Sequence, residues 1–201
     1  MVRYAPVRSA LASLIVAGGV GVAHAAPSSP APPPSPSPGV SAELKDAQGR
    51  TVGTVDVEDA GDGKTSVRVR VKGLPPGFHG LHVHAKGVCD ASSKNPETGS
   101  PFANSGPHRG SGNHPDHEGD LPNLLVGKDG SGDATYVTDR FGADALLGGE
   151  GSSLMVHAKA DNHGNIPERY KSNGKGGPDA ETLEAGDSGA RIACAVLKQG
   201  N

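Results

Sequence analysis

The sequence predicts an all-β domain: an antiparallel sandwich or flattened barrel of about eight strands, interrupted by two long functional loops. Three observations predict it. Short runs rich in valine and threonine alternate apolar and polar residues at period two. Glycine supplies 31 of 201 residues, about twice its usual share of roughly 7%. Two stretches, 86–120 and 159–190, are rich in Gly, Pro and Asn and separate the strand-like runs. Loops of that length inside a compact domain usually carry function. Aromatic residues make up 3% of the chain and tryptophan is absent, so the core is drawn from Val, Leu, Ile and Ala.

The first element is a leader. Arg3 and Arg8 precede an apolar stretch over 10–23, and Ala23-His24-Ala25 is a small-x-small cleavage site. The apolar stretch falls short of the roughly 20 residues a membrane-spanning helix needs. Residues 1–25 therefore read as a secretory signal rather than an anchor, and no transmembrane segment is expected. Residues 26–39 read as a Pro/Ser-rich tether, with seven prolines among the 13 residues from 26 to 38. Such a segment is an extended, semi-rigid spacer.

The domain follows over 40–201. Residues 51–57 alternate, and 66–72 alternate more clearly, with Val67, Val69 and Val71 facing inward. Further strands are expected at 80–85, 121–126, 134–138, 153–158 and 191–198. Asp62-Gly63 and Lys128-Asp129-Gly130 are hairpin-type turn signals. The only two cysteines, Cys89 and Cys194, read as one disulfide in an exported chain.

Charge excludes one class of partner. The formal charge is -3; loss of the leader removes two of the 19 basic residues, Arg3 and Arg8, and none of the 22 acidic ones, leaving -5. Nucleic-acid binders carry a basic face, so no nucleic acid is expected.

Nine histidines remain to be explained, of which His24 leaves with the leader. In His82-Val83-His84 the strand period puts both imidazoles on one face, close enough to share a metal ion. His108, His114, His117 and Asp120 lie within 13 residues and match the donor preferences of zinc. His157 ends an apolar run and by itself reads as a core histidine. Together these groups form one nearly all-imidazole site, which suits copper or zinc, beside one of imidazole and carboxylate, which suits zinc.

Four motifs, in order along the chain, resemble the copper/zinc superoxide dismutase family. They are Phe78-His79-Gly80-Leu81-His82-Val83-His84, Ser105-Gly106-Pro107-His108, His117-Glu118-Gly119-Asp120, and Gly186-Asp187-Ser188-Gly189-Ala190-Arg191-Ile192-Ala193-Cys194. The resemblance spans roughly 40–198. It implies a Greek-key barrel and an oxidoreductase that converts superoxide to oxygen and hydrogen peroxide through a Cu(II)/Cu(I) cycle. It implies that His82, His84, His108 and His157 bind copper, and that His108, His114, His117 and Asp120 bind zinc, with His108 bridging the two ions. Asp161 is similar to the carboxylate that hydrogen-bonds one histidine of each metal. Arg191 is similar to the arginine that captures the substrate anion, so Arg191 and His108 are the expected catalytic residues. His79 is similar to a structural histidine, and His163 reads as a solvated loop residue. The subloop from His108 to His117 is shorter than the family's usual one. The alternatives are a copper-only dismutase, a non-catalytic extracytoplasmic copper-binding module and an adhesion domain. Secretion to the cell envelope, periplasm or medium is expected, and a homodimer is left open.

Overall fold

The computed structural model describes residues 39–199. The expected leader, and the expected tether up to its last residue Gly39, lie outside the described residues.

Eight strands form one antiparallel sheet: β1 (Val40–Asp46), β2 (Thr51–Gly61), β3 (Lys64–Lys72), β4 (Gly77–His84), β5 (Asp120–Val126), β6 (Ser131–Thr138), β7 (Ser152–His157) and β10 (Arg191–Leu197). A two-stranded ribbon, β8 (Lys171–Ser172) with β9 (Lys175–Gly176), lies in the second long loop. The sheet order is β5-β4-β7-β10-β1-β2-β3-β6, so the chain crosses between distant strands after β3 and after β6, as Greek-key connections do. The end strands β5 and β6 lie side by side, which makes the sheet a nearly closed barrel. The Tyr136 hydroxyl donates to the Asn123 carbonyl across that seam at 3.2 Å.

Valine periodicity builds the wall. In β3, Val67, Val69 and Val71 are buried while Arg68 and Arg70 project outward to Asp133 and Asp56. Each buried valine contributes about 1.5–3 kcal/mol of transfer free energy. The β2–β3 hairpin turns on Asp62 and Gly63, both at positive φ (52° and 72°), the geometry that matches strand twist. Strand β1, where sequence marked only a domain start, alternates as well: Val40, Ala42 and Leu44 face the core, while Ser41, Glu43 and Lys45 are exposed. Two short helices, α1 (Ala143–Leu147) and α2 (Ala180–Ala185), were not anticipated. Each spans less than two turns, too short for a helical period to show.

The same alternation places the histidines. Leu81, Val83, Leu154 and Val156 face the barrel interior at 0% exposure. His82, His84 and His157 therefore fall on the outer face, under the long loops, on the paired strands β4 and β7. A second apolar cluster, Phe102, Met155 and Cys194 with Cys89 and Ala91, fills the space under the first loop. The Cys89–Cys194 disulfide spans 105 residues and pins this loop to β10, with Cα atoms 5.7 Å apart.

Candidate metal centre

Four buried imidazoles meet above β4 and β7. His82, His84, His108 and His157 each present one ligand atom, and these atoms lie within 4.8 Å of one another. Each strand-borne histidine is oriented by a hydrogen bond through its other nitrogen. His82 Nε2 bonds Asp161 Oδ2 at 2.7 Å, His84 Nδ1 the Gly106 carbonyl at 2.8 Å, and His157 Nδ1 the Gly189 carbonyl at 2.9 Å. The nitrogens left over, His82 Nδ1, His84 Nε2 and His157 Nε2, are buried without a protein partner. Burial pushes His84 and His157 well below the ordinary histidine value and His108 down to about 4. It also lowers His82, against the opposing pull of Asp161. At neutral pH these rings are uncharged and offer lone pairs. Unpartnered buried polar atoms cost free energy, and a bound metal ion removes that cost. The donor set fits copper.

His108 reaches this cluster from the first loop. The loop is laced to the end of β4 by Arg109 N donating to the Val83 carbonyl, Val83 N to the Gly119 carbonyl and Ala85 N to the Pro107 carbonyl. A Cβ at Gly119 would collide with the Val83 carbonyl, which explains the glycine between His117 and Asp120.

A second group adjoins the first, with Asp120 at its centre. His108 Nδ1 lies 2.8 Å from Asp120 Oδ1; His114 Nδ1 and His117 Nδ1 lie 3.0 and 3.1 Å from Oδ2. Three imidazole nitrogens thus converge on one carboxylate, the donor set of a tetrahedral zinc site. His114 Nδ1 is buried and makes no hydrogen bond of proper geometry. The shortened subloop therefore still brings all four residues together. His117 is the outlying member: the atoms that mutually approach within 4.8 Å belong to His82, His108, His114 and Asp120. Burial would raise the Asp120 carboxyl, but His108 and His114 hold it well below the usual carboxylate range. Burial alone would lower His114; Asp120 and Asp161 instead carry it up to about 9.

Asp161 joins the two groups. Its Oδ2 accepts from His82 and its Oδ1 from His114, both at 2.7 Å. Bonds from these rings outweigh burial and keep this carboxyl ionised well below the usual range. Gly186 ends α2 at φ 57°, and a Cβ there would strike Asp161 Oδ1 and His114 Nε2.

Arg191 pairs with His157 across β10 and β7. Its Nη1 donates to the Phe102 carbonyl (2.7 Å) and Ser105 Oγ (3.1 Å), and its Nη2 to the Gly106 carbonyl (2.8 Å). Of its five N–H groups, the Nε hydrogen and one on Nη2 stay free to meet an anion. Gly106 thus orients both His84 and Arg191.

His79 stands apart, bonded to the carbonyls of His157 and Pro75. His163 is an exposed loop residue, as expected, and it also adjoins the centre. Its backbone N–H donates to Asp161 Oδ1 at 2.6 Å, and its ring stacks beside His114. Two contributors escaped sequence reasoning. The Asn123 amide clamps the backbone of Asp161 with two bonds, 2.8 and 2.9 Å, and its signal is a lone amide in an apolar strand. Arg140 Nη1 donates to the carbonyls of Pro115 and His117, both at 2.8 Å, and no motif announces it.

Comparison with known proteins gives one answer. The family model for copper/zinc superoxide dismutase matches residues 51–197. The chain is 40% identical over 190 residues to a protein named superoxide dismutase [Cu-Zn] from Mycolicibacterium paratuberculosis, covering 90% of this chain and 81% of that one. It is 41% identical over 170 residues to the protein of the same name from Mycobacterium tuberculosis, covering 80% and 70%. The fold superposes on the Cu/Zn superoxide dismutase from Brucella abortus with TM-score 0.59 and 27% identity, covering 80% of this chain and 99% of that chain.

Proposed function

Because the chain belongs to the copper/zinc superoxide dismutase family, we propose how its own residues divide the work of dismutation. The enzyme converts superoxide to oxygen and hydrogen peroxide, with copper and zinc as cofactors. Copper is held by His82, His84, His108 and His157, and zinc by His108, His114, His117 and Asp120. The observation that carries this assignment is the set of buried, unpartnered imidazole nitrogens beside three rings that converge on Asp120. Copper, when bound, supplies the one-electron Cu(II)/Cu(I) cycle.

The protein supplies position, charge and protons. Arg191 binds the substrate anion through its two free N–H groups, on a guanidinium already immobilised by Phe102, Ser105 and Gly106. In the metal-free protein the Nδ1 contact with Asp120 orients the His108 ring; with zinc on that side, the neutral ring's other nitrogen would carry a proton toward the copper group and pass it to the product, the second proton coming from solvent. Asp161 fixes His82 and His114 in one orientation, as outer carboxylate partners of metal-bound histidines do.

The reading extends to the chain's destination. Residues 1–25 direct export to the cell envelope, periplasm or medium, and 26–39 tether the domain. The Cys89–Cys194 disulfide supports this, since such bonds persist in oxidising compartments. Among the described residues no helix is long and apolar enough to cross a membrane. A homodimer belongs to this reading as well; the exposed cross-strand pair Phe78 and Leu125 offers it an apolar patch.

Metal analysis after reconstitution with both ions tests the assignment. Wild type is expected to hold one equivalent of each, His117→Ala to lose zinc and keep copper, and His84→Ala to lose copper. A fully active wild type that holds copper and no zinc makes it a copper-only enzyme.

A further inference from the structure

The four groups assigned to zinc are not equally anchored. His108 is tied to β4 through the backbone of Arg109 and to Asp120 through its ring. His114 is buried, its backbone N–H bonds the Leu183 carbonyl at 2.7 Å, and its Nε2 bonds Asp161. Asp120 begins β5. His117 belongs to no strand, has the most exposed side chain of the four at 11%, packs edge-on against the His108 ring, and makes its hydrogen bonds to the group through Asp120 alone. The backbone from Pro115 to His117 makes only local backbone bonds, Asp116 N to the Asn113 carbonyl and Asp120 N to the His117 carbonyl; the backbone anchor to β4 comes two residues later, at Gly119.

Among the described residues one side chain from outside the loop grips this segment. Arg140 Nη1 reaches the carbonyls of Pro115 and His117 at 2.8 Å each. Arg140 stands on a firm base. Its own N–H bonds Thr138 Oγ1 at the end of β6, and the next residue, Phe141, is buried with its carbonyl bonded by Thr65 Oγ1 of β3. The guanidinium makes no ion pair among the described residues. Its charge strengthens two bonds to neutral carbonyls and ties the barrel wall to the outlying metal ligand.

We propose that Arg140 is a positioning residue of the zinc site: it holds the Pro115–His117 backbone where the His117 ring can close on the ion, and so sets how slowly zinc leaves. The proposal rests on the assignment of zinc to His108, His114, His117 and Asp120. It differs from plain scaffolding in reaching one ligand of one metal, so its loss discriminates between the two sites.

The test uses full-length protein loaded with copper and with either zinc or Co(II) as a spectroscopic substitute. Wild type, Arg140→Ala, Arg140→Lys and Arg68→Ala are compared. Arg68 makes an exposed ion pair with Asp133 on the β3–β6 wall and reports generic loss of a surface contact. In Arg140→Ala, zinc release to a chromogenic chelator is expected to speed up by about 10- to 100-fold, the range typical for lost outer partners of metal ligands. The Co(II) visible spectrum changes while the Cu(II) electron paramagnetic resonance spectrum does not. Arg140→Lys restores much of the slow release, since an ammonium group can donate to both carbonyls, and Arg68→Ala behaves as wild type. Equal release rates in wild type and Arg140→Ala would overturn the proposal. So would equal loss of copper and zinc with a matching fall in the melting temperature of the metal-free protein, which marks a merely structural role. A wild type that takes up neither zinc nor Co(II) overturns the zinc assignment itself, and the proposal with it.

Discussion

The chemistry turns on single nitrogens. Arg191, opposite His157 in the sheet, gives up three of its five N–H groups to Phe102, Ser105 and Gly106, which immobilises the guanidinium and leaves the other two free. Arg191→Ala is expected to lower turnover by roughly 10- to 100-fold, the scale of one lost charge-assisted contact to the anion. Copper content, read by metal analysis, stays unchanged. His114 carries a second prediction. Its neighbours Asp120 and Asp161 raise it to about 9 in the metal-free protein, so at pH 7 it is protonated. Zinc needs the neutral ring, so zinc binding at pH 7 releases about one proton per ion from this residue. The release fades as pH rises through about 9. Calorimetry of zinc binding in buffers of different ionisation enthalpy measures it, and no release at pH 7 contradicts this account of His114. The residues that meet in the two clusters were legible in sequence because motif order and strand period reveal them. Arg140 and Asn123 were not, because they act through backbone carbonyls and amides, which carry no residue code. The pull of Asp120 on His117 was legible as His-x-Gly-Asp; the grip of Arg140 on the same segment comes from a strand end 23 residues away.

At the scale of elements, strands position the copper group and loops complete it. Period two was readable in β3, where valines alternate with arginine, and in β4, where it set His82 and His84 on one face. In β1 it was present but passed over, with Val40, Ala42 and Leu44 alternating against exposed Ser41, Glu43 and Lys45; in α1 and α2 it could not show, because both are too short for a period. His157 read as a core histidine because Leu154, Met155 and Val156 precede it. The pairing of β7 with β4 and β10 is what carries it to the metal group. The Cys89–Cys194 bond holds the first loop against β10, next to the carbonyls that immobilise Arg191. In the chain-entropy model, closing a loop of this size is worth about 4–5 kcal/mol. The double variant Cys89→Ser/Cys194→Ser is therefore expected to lose up to that much in denaturant unfolding of the metal-free protein. It should also lose activity at unchanged copper content, as Arg191 loses its frame. Unchanged activity would show that the frame stands without the bond.

The whole molecule carries a net negative charge, -3 as written and -5 without residues 1–25, while its substrate is an anion. Its overall field repels superoxide, so attraction must come from a local cationic focus at Arg191. Lys86 runs beside Gly106, and Lys159 beside Gly189, which places both near that mouth. Raising ionic strength is expected to slow turnover by screening this focus, and a salt-independent rate contradicts it. The proposed export belongs to the same scale: the protein recovered outside the cytoplasm is expected to have the mass of a chain beginning at Ala26, and an uncut chain contradicts the proposal. The central claim is that these buried imidazoles and Arg191 form a dismutase centre rather than a copper store. Superoxide consumption by the copper- and zinc-loaded protein, with peroxide measured in the same run, tests it most directly. Wild type is expected to turn over many superoxide anions per copper and yield one peroxide for every two consumed, and His84→Ala to fall to the rate without enzyme. A wild type fully loaded with copper that consumes superoxide no faster than buffer would contradict the claim and leave a copper-binding module.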